Sequence, residues 1–291
     1  MGQYTLNDLE SLTGINSDTI RIWEKRYGIL KPILSPTRRR LYNDEDLMRL
    51  INISILYRHG TKISSIASKT DSEIREKAAI LSASEGTSGD MIGMMTIAMN
   101  RLDEIAVNEV LLKSVIERGF DSTITSVVFP FLRKVGVMWH TGAVNAGTEH
   151  FISSIFRQRL IAAIDALPPP KKDKGSRFLL FLPEGEMHEL GLLFYTYLIK
   201  KRGNHVLYLG QSTPLKSVFS VTGLWSPDIV VTGSMTYLNL MGHEDFLRDL
   251  SMGLPGKKIF ATGLMANIAK HIRIPDVIAI FDEKNLLRNI P

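Results

Sequence analysis

The hydrophobic period of this sequence changes once, near residue 170, and that change restricts the chain to two kinds of fold joined in series. Upstream, apolar residues recur at spacings of three and four. Downstream, short apolar runs alternate with helical stretches: strands are predicted at 178–182, 205–209, 229–232, 258–261 and 277–280, with helices at 190–202, 214–224, 242–251 and 265–271. Five such strands separated by helices predict a doubly wound α/β domain with a five-stranded parallel sheet. Phe178 to Leu182 is apolar without alternation and is ended by Pro183 and Gly185, the pattern of a strand covered on both faces. The join itself, Leu167-Pro168-Pro169-Pro170-Lys171-Lys172-Asp173-Lys174-Gly175, reads as a stiff, exposed connector.

Open α/β sheets bind ligands beyond the carboxyl ends of their strands, and the loop after the first strand carries Glu186, His188 and Gly191. An imidazole coordinates a metal through one nitrogen, while a carboxylate two residues earlier takes the proton on the other and sets the tautomer. Gly191 offers no side chain where the next helix opens, so a bulky ligand can approach the backbone. Taken alone, Glu-x-His-x-x-Gly is also the sequence of a solvated loop histidine, and the residues leave both readings open. Ser234-Met235-Thr236 and Thr262-Gly263-Leu264 end later strands at the same edge.

From 71 to 167 helices are predicted at 72–83, 89–105, 107–118 and 122–138, with a further stripe of Ile152, Phe156, Leu160 and Ile164. This is the pattern of a four- to five-helix bundle, its core filled by Met91, Met94, Met95 and Met99. The stretch from Trp139 to His150 breaks the period, with Gly142 and Gly147 after a large aromatic and then Glu149-His150 at a helix start. Glu149 suits the positive end of a helix dipole, and the pair fits either a cap or a ligand site.

The first 70 residues predict short helices around a Gly14 turn, the layout of a helix-turn-helix, with Ser17 or Asp18 capping a helix at 19–27. Arg21 and Lys25 share one face of that helix. With Arg26, Lys31, Arg38, Arg39 and Arg40 against the lone acid Glu24, residues 21–40 carry the electrostatic footprint of phosphate binding.

At these residues the chain resembles known families. Thr19-Ile20-Arg21-Ile22-Trp23-Glu24-Lys25-Arg26-Tyr27-Gly28-Ile29-Leu30-Lys31-Pro32, followed by Arg40-Leu41-Tyr42 and Asp46, closely resembles the winged helix-turn-helix domain of MerR-type transcription regulators. That resemblance implies an all-α DNA-binding domain over 1–70. Arg21, Lys25 and Arg26 would lie on its recognition helix, Arg38, Arg39, Arg40 and Tyr42 would contact DNA from its wing, and a homodimer or larger assembly would bind a double-stranded operator. Glu186-x-His188-x-x-Gly191 with Ser234-x-Thr236 and Thr262-Gly263 resembles the Rossmann-like cobalamin-binding domain of corrinoid proteins, methionine synthase and mutases, over 177–291. It implies that His188 is the lower cobalt ligand and that Ser234 and Gly263 line the slot for the nucleotide tail. The family usually has Asp at Glu186, Leu at Thr236 and Gly at Thr262.

Trp139 followed, after nine intervening residues, by Glu149-His150 is similar to the cap signature of light-sensing, adenosylcobalamin-dependent MerR regulators of the CarH and LitR type. The resemblance implies a helical cap over 71–167, joined by a linker at 168–176. In it Trp139 would cover the upper corrin face, Glu149 and His150 would approach the adenosyl group, and His150 would become the upper ligand after light. No cysteine is present, which excludes disulfides and thiolate chemistry. No apolar run has the length of a membrane span, and the N-terminus lacks a signal pattern, so a cytoplasmic protein without a membrane partner is expected.

The expectation is a DNA-binding repressor, not an enzyme, whose assembly as dimer or tetramer answers to adenosylcobalamin and light. Two other readings draw on the same residues: a cobalamin-independent MerR-type repressor controlled by another ligand or an antirepressor protein, and a corrinoid methyl-transfer protein.

Overall fold

Helix α1 (Leu6–Thr13) forms where Thr5 and Asp8 close a reciprocal capping box, and it ends at Gly14, whose φ of 73° disfavours any side chain. α2 (Ser17–Tyr27) follows at once. Its cap is Asn16, which accepts from the Asp18 N–H at 2.9 Å, and not Ser17 or Asp18, which are already helical. Strands β1 (Ile33–Leu34) and β2 (Arg40–Leu41) pair antiparallel, so the domain expected to be all-α carries a small β ribbon as its wing. α3 (Asp44–Arg58) is buried along Leu50–Leu56 on every side, as a central helix must be. Its capping residue Asp46 also accepts from the Lys31 N–H at 3.0 Å, which ties the wing turn to the helix start. α4 (Ile63–Ala67) completes this part.

Six helices follow: α5 (Asp71–Glu85), α6 (Ser88–Asn100), α7 (Glu104–Arg118), α8 (Phe120–Thr123), α9 (Phe129–His140) and α10 (Ala146–Asp165). The two helices expected over 89–105 and 107–118 meet earlier than expected, because the chain turns at Leu102 (φ 54°) and Asp103 caps α7 through the Ala106 N–H at 3.0 Å. Between α8 and α9, Ile124–Val128 widen into a π turn. Pro130, just downstream, has no N–H and its ring presses on the carbonyl four residues back, a mismatch that a widened turn takes up. Met91, Met95, Met99, Phe131, Val135 and Met138 are buried as expected. A Cβ at Gly93 would stand 2.9 Å from Ile51 Cγ2, so α6 crosses α3 too closely for a larger residue.

The computed structural model describes residues 4–34, 40–85, 87–140, 144–171, 174–235 and 240–290. Its contacts divide the chain into units 1–155 and 156–291, with the division falling within α10. The second unit is the expected parallel sheet. Strands β3 (Arg177–Pro183), β4 (His205–Thr213), β5 (Ile229–Ser234), β6 (Lys258–Gly263) and β7 (Val277–Ile280) take the order β4-β3-β5-β6-β7. They alternate with α11 (Leu190–Lys201), α12 (Leu215–Trp225), α13 (Leu240–Gly253) and α14 (Leu264–His271), and α15 (Glu283–Asn289) closes the chain. Leu179 and Phe181 pack with Val218, Val230, Leu250 and Ile259, while the alternate residues Phe178 and Leu180 are equally buried. Both sheet faces are therefore covered, which is why β3 reads as a continuous apolar run. Among the described residues no helix is long and apolar enough to cross a membrane.

In the first unit, buried Asp90 accepts from Arg58 Nη2 at 2.7 Å and from the Thr87 hydroxyl at 2.8 Å, and lies 3.0 Å from His59 Nε2. Burial would raise its pKa, but the bonds from Arg58, His59 and Thr87 outweigh that and hold it below the usual carboxylate range. A carboxylate with a depressed folded pKa stabilises at neutral pH, and its contribution is lost as pH falls through that folded value. Asp90→Asn is expected to destabilise the unit by about 2–3 kcal/mol in urea unfolding at pH 7, a partly solvated Arg58 keeping the loss at the low side for a broken buried pair. The gap between wild type and variant should close as pH falls below the carboxylate range.

Candidate ligand site and nucleic-acid interface

β3 and β5 are neighbours, but the chain leaves β3 for β4 on the other side, so their carboxyl ends flank a crevice at the point where strand order reverses. Glu186 lies in the loop after β3, with only 1% of its side chain exposed. One carboxylate oxygen accepts from the His188 N–H at 2.9 Å and meets His188 Nδ1 at 2.6 Å. The other accepts from the Ser234 hydroxyl and the Met235 N–H, both at 2.8 Å. Burial would raise the Glu186 pKa, yet the bonds from His188, Met235 and Ser234 drive it far below the carboxylate range. The ionised acid faces Nδ1 of His188, an arrangement that places the proton of a neutral imidazole on Nδ1 and leaves Nε2 to act as a ligand.

That ring is 61% exposed, and the anchoring carboxylate raises its basicity as a ligand. Among the described residues no three His, Cys, Asp or Glu side chains converge to hold a metal ion. The space beside Gly191 is open, since an added Cβ there would meet no atom within 4 Å. Met187, next to Glu186, and Met235, next to Ser234, are both exposed.

The other predicted site residues of this domain are placed differently. The Thr262 hydroxyl donates to the Thr232 carbonyl at 3.2 Å, so it is turned into the sheet. Gly263, at φ 60°, is required for a packing reason, because a Cβ would stand 2.4 Å from the Ser234 carbonyl oxygen. Ser234 acts on Glu186 directly. Thr236 lies outside the described residues.

Several supports were not expected from the sequence. Buried Glu189 is held by Arg157 Nε at 2.5 Å and the Tyr208 hydroxyl at 2.6 Å. β4 runs past its expected end at residue 209, through a bulge at Gly210, and delivers Gln211 Nε2 to the Met187 carbonyl at 2.6 Å and the Ser212 hydroxyl to the Gly185 N–H at 3.1 Å. His243 on α13 is buried, its Nδ1 has no hydrogen-bond partner among the described residues, and burial lowers its pKa against an opposing pull from the Glu186 charge. A polar residue beside an apolar strand end was the only available signal for these.

In the first unit Trp139 is an exposed aromatic at the end of α9. His150 has a 76% exposed side chain lying 3.6 Å from the Glu149 carboxylate. The cap of α10 is made by Asn145, which accepts from the Thr148 N–H at 2.9 Å, so neither Glu149 nor His150 is needed for capping.

α2 presents Arg21, Lys25 and Arg26 to solvent while Ile20 and Trp23 are buried, Trp23 meeting Tyr57 edge-on at 4.9 Å. Arg21 pairs with Asp18 at 3.2 Å, an exposed contact that a phosphate can displace. Arg40 is exposed on β2 and pairs with Glu24 at 3.3 Å. Tyr42 corrects the sequence expectation: 1% exposed, it gives its hydroxyl to Glu24 at 2.7 Å and pairs its backbone with Tyr4, so it joins wing to helix and cannot reach DNA. Burial and Glu24 both raise its pKa. Arg38 and Arg39 lie outside the described residues.

Residues 4–73 match the family described as MerR HTH family regulatory protein. The chain is 29% identical over 271 residues to the HTH-type transcriptional repressor CarH of Myxococcus xanthus, covering 90% of this chain and 89% of that one. It is 26% identical over 244 residues to the repressor CarA of the same organism, covering 83% and 78%. Among solved structures, the Methanosarcina barkeri monomethylamine corrinoid protein shares the fold, with a TM-score of 0.54 and 14% identity over 66% of this chain and 92% of that chain. The exposed cations of α2 are expected to face phosphates: Lys25→Ala should reduce the slope of log affinity against log salt by about 1 in a gel-shift titration. An unchanged slope would remove Lys25 from the contact set.

Proposed function

We propose that the chain is a DNA-binding transcription repressor with a MerR-type reader, whose hold on its operator is set by adenosylcobalamin and light. The observation that carries this is the His188–Glu186–Ser234 arrangement at the crevice of the sheet. It presents one exposed, basic nitrogen beside an open glycine, which fits a planar macrocycle better than a bare ion. Similarity to two transcriptional repressors supports repression, and the shared fold of the corrinoid protein supports the choice of ligand. When bound, adenosylcobalamin would supply a cobalt centre able to take an imidazole ligand and a light-labile cobalt–carbon bond.

The protein's own residues would divide the work. His188 would hold the cobalt from below through Nε2, Glu186 keeps its proton on Nδ1, and Ser234 with the Met235 N–H keeps Glu186 charged and in place. Gly191 leaves room for the ring edge. Trp139, Glu149 and His150 would serve the upper face, and their exposure in the first unit supports that role. Ser234 would also border the nucleotide tail, with Gly263 beside it; Thr262 would act by holding the sheet edge. Domains at 1–70, 71–167 and 177–291 would act as reader, cap and sensor, with 168–176 as linker. An operator of two half-sites calls for at least a dimer, so the working form would be a dimer or tetramer in the cytoplasm.

The test is an absorption titration and equilibrium dialysis with adenosylcobalamin in the dark and after illumination, with DNA affinity measured in parallel. Wild type is expected to bind in the dark and to lose DNA affinity on illumination. Glu186→Gln should weaken binding of the cofactor by roughly 10–100-fold, and His188→Ala by more. His150→Ala should leave dark binding intact and change the spectrum of the illuminated product. Equal affinity in wild type and His188→Ala would sink the assignment of the lower ligand, and no binding at all would leave a regulator controlled by another ligand or an antirepressor protein.

A further inference from the structure

α1 ends on the carbonyls of Leu12 and Thr13, immediately before the Gly14 turn that leads into α2. A helix end carries partial negative charge, and α1 has no cation in its own last turn. Two cations reach it from elsewhere in the same unit. Arg58, from the end of α3, gives Nη1 to the Thr13 carbonyl at 3.3 Å. Lys134, from α9, gives Nζ to the Leu12 carbonyl at 2.7 Å, across 122 residues of sequence.

The second contact is costly to make. Burial lowers the Lys134 pKa and the like charge of Arg58 lowers it further, and the Leu12 carbonyl at the end of α1 accepts from the ammonium there. Buried Asp90 balances Arg58 from the other side. On the DNA side of α1, Glu10 accepts from the Ser17 N–H at 3.2 Å and from Asn16 Nδ2 at 3.4 Å, the two residues that start α2. The last turn of α1 is therefore gripped by α9 at its carbonyl end and itself grips the start of the recognition helix.

We propose that Lys134 is a positioning residue for DNA recognition, holding α1 and through it α2 in the pose that presents Arg21 and Lys25. Since Trp139 ends the same helix, α9 also carries any movement of the cap to the DNA reader; this second half rests on the corrinoid reading above.

The experiment uses the full-length chain, with a duplex selected from a random pool by the wild-type protein as probe. In Lys134→Met, amide hydrogen exchange at Gly14, Ser17 and Ile20 is expected to speed up about 10-fold or more, the scale of a lost hydrogen bond to a charged donor, while the amides of α6 and α7 keep their protection. DNA affinity should fall about 5–10-fold, and Lys134→Arg, which keeps the charge, should recover most of both effects. Should Lys134→Met fail to fold, Lys134→Gln makes the same comparison. Exchange that rises equally throughout residues 4–155, or DNA affinity equal to wild type, would overturn the proposal. If wild type shows no response to adenosylcobalamin while Lys134→Met still loses DNA affinity, the corrinoid reading fails and the positioning role stands.

Discussion

A carboxylate removed from water must be surrounded by donors, and this protein meets that requirement with groups drawn from distant segments. Glu186 takes donors from its own loop and from the end of β5, Glu189 from Arg157 and Tyr208, and Asp90 from Arg58 and Thr87, with His59 beside it. Each acid thereby pins together parts of the chain that apolar packing alone would leave free to slide. At Glu186 the pinned group is the imidazole of His188, held at Nδ1 with its ring largely exposed. The rigidity of the candidate ligand site is thus a consequence of burying one charge well.

The same economy governs the DNA-reading part. Glu24 receives the Tyr42 hydroxyl and pairs with Arg40, so one acid on α2 sets the angle of the wing. Removing Tyr42 from the expected contact set makes this clearer: the tyrosine orients the wing, and Arg40 beside it is exposed. α3 runs through the centre of the unit, its Ile51 against Gly93 of α6 and its Arg58 against Asp90 of the same helix. Reader and bundle are therefore packed as one unit over residues 1–155, through an apolar crossing and a buried charge. A regulator needs some such connection, since a sensor that cannot strain the reader has no effect on it.

The helix from 120 to 140 illustrates how a local misfit is accommodated. Pro130 stands where an uninterrupted α-helix would clash, and the π turn at Ile124–Val128 absorbs the clash one turn earlier. Downstream of it the helix continues unbroken to His140 and carries both Lys134 and Trp139.

Much of this was readable in the sequence because the forces involved are local or periodic. The change of period near residue 170 identified the parallel sheet, the apolar run of β3 its covered position, and Gly14 and Gly28 the ends of two helices. Glu186 and His188, two residues apart at a strand end, could be paired because the loop between them is too short to separate them. What depended on the fold was every contact between residues far apart in number. Nothing near Tyr42 in the sequence says that Glu24 buries its hydroxyl, nothing near Ser234 that it completes Glu186, and nothing near Lys134 that it caps α1. Sequence period reports which face of an element is apolar, but the partner of a buried polar group is chosen by the topology that brings two strand ends or two helices together, and only the tertiary structure supplies that.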